Sequence, residues 1–128
     1  MLTVWKVSRL WIFMNKTKNY CVYVVELDKK VLNKKKFIKV NENYKKDKPC
    51  VYVGMTFHTP DKRFEHHKNR HKSKKGYDTS SFFPREFGIR LIDNLCEPEK
   101  SLTFDEAKEL EIERARDLRE KGYGVWQN

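Results

Sequence analysis

The sequence predicts one small α/β domain in which a few short strands alternate with helices. Three observations carry this expectation. Two runs, YCVYVVEL (residues 20–27) and CVYV (residues 50–53), are rich in the β-branched and aromatic residues that fit a buried strand. The stretch from Thr103 onward has the marks of a long amphipathic helix. The chain has 128 residues, 38% of them apolar, which suits a single domain with one modest core.

Recognisable patterning begins only at Tyr20. Residues 1–19 are therefore read as an N-terminal extension and residues 20–128 as the domain. Met14-Asn15-Lys16-Thr17 would make an ordinary protein start, so Met14 is a candidate initiator. The rival is a short amphipathic element using Val4, Trp5, Val7 and Trp11. Lys6 and Arg9 interrupt the first 13 residues, which also lack a small-residue cleavage site, so no signal peptide is read there.

The first strand candidate, 20–27, has Glu26 as its single charged residue, so both of its faces should be covered. Residues 28–48 form a long connection with lysine clusters at Lys34-Lys35-Lys36 and at Lys45, Lys46 and Lys48. Val31, Leu32, Phe37 and Ile38 suggest one short helical element, and 37–40 fits a short strand equally well. Pro49 disfavours helical geometry at Lys48 and leads into the second strand. Gly54 then lets the backbone turn or approach another group closely.

Thr59-Pro60 marks a helix start, with Thr59 as N-cap and Pro60 in the first position. Arg63, His67 and His71 fall at i, i+4 and i+8 and share one face if that helix runs to 71. Phe64 should pin the helix to the sheet. Residues 72–79 are polar and contain Gly76, which predicts an exposed loop. A short helix is expected over 80–87, with Phe82, Phe83 and Phe87 inward, stopped by Gly88. Residues 89–92 are a third strand candidate. The last helix opens on a capping box, Thr103-Phe104-Asp105-Glu106, and should cover 104–121 before Gly122. Its apolar stripe is Ala107, Leu110, Ala115 and Leu118. Glu111 lies inside that stripe, and an inward carboxylate needs a partner. Residues 123–126 should return and pack on the body.

The net charge is +10 and it is uneven. Residues 1–96 hold 22 Lys and Arg against 9 Asp and Glu, whereas the remainder is mildly acidic. Seven cations lie between Lys62 and Lys75 with Glu65 as the sole acid. Such a surplus favours a polyanionic partner, most simply nucleic acid, contacted by Lys62, Lys68, Arg70, Lys72, Lys74 and Lys75. The alternative is a solubilising surface. Three cysteines without a C-x-x-C pair make no disulfide framework, which points to reduced thiols in a cytoplasmic protein. No apolar run approaches the roughly 18 residues of a membrane span, so no membrane partner is expected. His66, His67 and His71 match no standard zinc-finger spacing.

A tyrosine at a strand end, facing an arginine and a histidine on a helix, is a sensible layout for holding a phosphate. Two triplets, Cys21-Val22-Tyr23 and Tyr52-Val53-Gly54, are followed by Arg63 and His67 one turn apart. Glu106-Ala107 then precedes Glu111 in a later helix. In this order the residues resemble the GIY-YIG nuclease superfamily across about 20–126. Cys21 replaces the family's first glycine. Tyr23 and Tyr52 are separated by a Lys-rich insertion, and Arg63 lies about one residue later than usual. The asparagine that often follows the family's glutamate has no counterpart at Tyr123-Gly124, and the nearest is Asn128.

The resemblance implies a small three-stranded antiparallel sheet flanked by helices. It also implies metal-dependent hydrolysis of phosphodiester bonds, in DNA rather than RNA. On that reading Tyr23 or Tyr52 helps deprotonate or orient the attacking water. Arg63 holds the phosphate, and His67 assists proton transfer or positions a tyrosine. Glu111 is the one carboxylate ligand of Mg2+ or Mn2+. The chemistry suits these residue types. Attack adds negative charge to an already anionic phosphate, and arginine answers it with a fork of donors that deprotonation cannot remove. Two other classes of function stay open: a non-catalytic nucleic-acid-binding module on the same fold, and a protein-interaction module using the acidic C-terminal helix.

Overall fold

Both β-branched runs form seven-residue strands, β1 (Cys21–Leu27) and β2 (Cys50–Thr56). They pair antiparallel, from Cys21 opposite Thr56 to Leu27 opposite Cys50. The computed structural model describes residues 17–97 and 99–127. Residues 1–16, where most of the expected extension falls, lie outside the described residues. Every β1 residue but Glu26 is buried, because the sheet is covered on both faces.

Alternation along the strands divides the core. Val22, Val24, Val51 and Val53 face the long C-terminal helix and meet Ala107, Ala115 and Leu118. Tyr23, Val25, Leu27 and Tyr52 face the opposite layer and meet Val31, Phe37 and Phe83.

Among the described residues the sheet has four strands rather than the expected three, in the order β3-β1-β2-β4. β3 (Gly88–Leu91) pairs antiparallel with β1. β4 (Gly124–Gln127) was expected only to pack on the body, but it pairs parallel with β2. The chain reverses at Gly122 (φ 93°), a left-handed conformation that suits glycine. Gly124 then lies against Phe37 and Cys50, where a Cβ would come within 3.0–3.2 Å of both side chains. Asn41 completes the edge: its Nδ2 donates to the Val125 carbonyl (3.0 Å) and its Oδ1 accepts from the Val125 N–H (2.8 Å).

The Lys-rich connection thus has a structural role. It contains a 3-10 turn (Lys29–Asn33) and a helix, α1 (Lys35–Lys39), which settles residues 37–40 as largely helical. Val31 and Phe37 from this segment are fully buried, and burying Phe37 alone stabilises by about 2–3 kcal/mol.

The next helix, α2 (Pro60–Lys68), starts as expected, with the Thr59 side chain accepting from the Lys62 N–H. It stops three residues early. Arg70 takes a left-handed φ of 51°, and the His71 N–H bonds the His66 carbonyl at 2.8 Å. His71 therefore leaves the face shared by Arg63 and His67 and stacks its ring on His66, centroids 3.9 Å apart. Phe64 packs on the sheet as expected.

In α3 (Phe82–Phe87) Phe83 is buried and Phe87 packs against the core as expected, whereas Phe82, also expected inward, is 36% exposed. The last helix, α4 (Phe104–Glu120), opens on the complete capping box. Among the described residues, no helix is long and apolar enough to cross a membrane.

Candidate active site

The β1–β2 register sets Tyr23 opposite Gly54. A Cβ at residue 54 would lie 2.6 Å from the Tyr23 Oη and 2.7 Å from its Cζ. The glycine is needed for close approach inside β2, so that the Tyr23 ring can lie across the neighbouring strand.

The Tyr23 hydroxyl meets His67, which α2 holds fully buried. Tyr23 Oη and His67 Nε2 are 2.8 Å apart. The other ring nitrogen, Nδ1, accepts the Ser81 backbone N–H at 2.9 Å. A backbone amide can only donate, so Nδ1 is unprotonated. The proton of the neutral ring therefore sits on Nε2 and is donated to the Tyr23 oxygen. Burial, reinforced by the positive charge of Arg63, lowers the His67 pKa to about 3, so the ring is neutral at physiological pH.

Tyr52 closes the group. Its ring lies 6.0 Å from that of Tyr23 and 5.7 Å from that of His67, and its hydroxyl makes a long 3.4 Å bond to Ser81 Oγ. Arg63 is half-buried, and its Nη2 donates to the Thr79 carbonyl at 2.9 Å. Its charge pulls both phenol pKa values down, but burial outweighs it. Tyr23 stands well above its ordinary value and Tyr52 is raised as well. Both tyrosines are therefore neutral hydroxyls in the resting protein. Arg63 lines a cleft of about 440 Å³ together with Thr56, His58, His66, His71 and Thr79.

Glu111 comes from α4, on the other side of the sheet, and is 6% exposed. Its Oε1 accepts from Gln127 Nε2 at 3.1 Å, and burial raises its pKa. Its negative charge reaches Tyr52, where it acts to raise the phenol pKa. No family model, curated protein or solved structure matches this chain. What the site can do therefore rests on its geometry and on the residues themselves.

The six cations expected to contact nucleic acid are all exposed. Two of them also make contacts within the fold. Lys68 Nζ donates to the Arg85 and Gly88 carbonyls at 3.0 and 2.9 Å, tying α2 to α3 and β3. Arg70 lies 3.7 Å from Glu86. Lys62 sits at the start of α2, while Lys72, Lys74 and Lys75 ride on a small hairpin. The backbones of Lys72 and Asp78 form an antiparallel β-bridge there, and the Ser73 N–H bonds the Tyr77 carbonyl at 2.7 Å.

Three site residues were not legible in the sequence. Thr79 acts through its carbonyl, and Ser81 holds His67 through its N–H while its hydroxyl meets Tyr52; the backbone groups leave no residue-type signal. Gln127 supplies an amide to Glu111 from β4. No sequence signal marks it: the parallel pairing of Gln127 with Val53 brings that amide beside α4.

Proposed function

We propose that this protein is a metal-dependent phosphodiester endonuclease acting on DNA. The observation that carries the reading is the buried chain Ser81–His67–Tyr23, set beside Tyr52 under the positive charge of Arg63. Arg63 binds the phosphate in the cleft that it lines and offsets the charge that builds in the transition state. Thr79 holds one of its nitrogens, which fixes the plane of the guanidinium. His67 positions: its Nε2–H donates to Tyr23 Oη and so favours the phenolate over the phenol. Tyr23 and Tyr52 orient the attacking water, and either can take its proton once more positive charge is present.

Glu111 fits the metal role in this scheme. It is a buried carboxylate with an amide partner, and among the described residues it makes no ion pair. A cation would compensate it. No group of three or more metal-ligating side chains lies among the described residues. One carboxylate with several retained waters is the habit of magnesium. When bound, such an ion supplies a polarised, more acidic water and the missing positive charge.

A binding module on the same fold is the second reading, favoured by the absence of a phenolate or charged histidine at rest. Cleavage of labelled DNA and RNA structures with Mg2+, beside Arg63→Ala and Glu111→Ala, separates the two. The nuclease reading expects cutting that both substitutions abolish, with binding kept by Glu111→Ala. Tight binding without cutting on any substrate refutes it in favour of the module.

A further inference from the structure

One cluster outside the site just described combines aromatic faces with cations. Phe82 directly follows Ser81 and is 36% exposed. Three cations surround it: Lys34 Nζ and Lys36 Nζ each 5.5 Å from the ring centroid, and Arg85 Cζ at 5.7 Å. Lys36 Nζ also lies 5.2 Å from the Phe83 centroid and 5.6 Å from the Trp126 ring. Trp126 packs on Phe83 with centroids 4.5 Å apart and pairs with Tyr52 across the β2–β4 ladder. The platform is thus built onto the same strand and loop that hold Tyr52 and His67. Two of its cations come from the insertion between the tyrosine motifs.

We propose that Phe82, with Lys34, Lys36 and Arg85 around it, is a stacking subsite for an unpaired nucleotide of the strand whose phosphate Arg63 holds. The inference rests on the nucleic-acid reading above and adds the form of the substrate. A half-exposed ring ringed by ammonium groups matches a ligand that has both a π face and a negative charge. An unpaired nucleotide has both within one residue. A duplex keeps its base faces inside the stack and offers only its phosphates and groove edges.

The test is fluorescence anisotropy with labelled oligo(dT), oligo(U) and a DNA duplex of equal length, in EDTA so that nothing is cut. Phe82→Leu keeps an apolar side chain and removes the π face. It is expected to weaken oligo(dT) binding by about fivefold to a hundredfold and to leave duplex binding nearly unchanged. Phe82→Tyr is expected to bind like the parent, which separates stacking from damage to the fold. Lys36→Gln is expected to lower the salt dependence of oligo(dT) binding by about one phosphate contact. Equal or absent loss for oligo(dT) and duplex in Phe82→Leu overturns the subsite. If that protein still cuts DNA, the nuclease reading survives the loss of the subsite. A parent that binds none of the three probes overturns both. Oligo(U) bound as tightly as oligo(dT), with the same loss in Phe82→Leu, supports a subsite for unpaired nucleotides of either sugar.

Discussion

Acid titration of His67 tests the hydrogen-bonded chain at the centre of the site. The ring is fully buried, and its folded pKa is about 3, against 6.5 for an unperturbed histidine. Between these values the unfolded chain binds a proton that the folded protein refuses. Stability is therefore fully present above the unfolded pKa and is lost as pH falls toward the folded one. The slope is about 1.4 kcal/mol per pH unit. At pH 5 the loss from this residue amounts to about 2 kcal/mol. His67→Gln cannot titrate, yet keeps an amide that can donate to Tyr23. Urea unfolding of parent and variant at pH 7 and pH 5 gives four free energies. His58 and His66, whose pKa values burial also lowers, are present in both proteins and cancel in the difference. The parent should lose about 2 kcal/mol more than the variant between the two pH values. Equal losses, or a His67 NMR signal that titrates near its ordinary pKa, would refute the burial-lowered pKa and with it the dry, desolvated setting of the ring.

Gly54→Ala should destabilise by about 1–3 kcal/mol, seen as a lower urea midpoint, because its Cβ would fall 2.6 Å from the Tyr23 oxygen. An unchanged midpoint would mean that the ring does not cross β2. Asn41→Ala should cost about 1–3 kcal/mol by leaving the Val125 N–H without its partner. Hydrogen exchange at Val125 should accelerate, with exchange at Val24 as the internal control. Glu111→Gln should not destabilise at pH 7. The folded carboxyl holds its proton above the unfolded pKa, so ionisation at rising pH removes stability, and the amide abolishes that loss. Mg2+ should raise the thermal midpoint of the parent and not of this variant. An equal rise in both would remove Glu111 as the ligand.

Local chemistry made much of the fold legible. The β-branched runs at Tyr23 and Tyr52, the Thr59-Pro60 start and the Thr103–Glu106 capping box are all decided by near neighbours, and each forms where the residues indicate. The buried carboxylate of Glu111 was readable from its place in an apolar stripe. Other features depend on groups distant in sequence. Residues 124–127 are too short and mixed to announce a strand; they become one because β2 offers an open edge and Asn41, 84 residues before Val125, satisfies its outer backbone. Helical spacing set His71 with Arg63 and His67, but the left-handed Arg70 turns the chain away.

The division is physical. Residue types fixed which side chains could bear charge, donate a proton or hold a phosphate: Tyr23, Tyr52, Arg63, His67 and Glu111. Only the packed structure decided their states, because burial and a single backbone donor are properties of the surroundings. The Ser81 N–H sets the tautomer of His67, and desolvation outweighs the Arg63 charge at both tyrosines. Gln127 reaches Glu111 only because β4 runs parallel to β2.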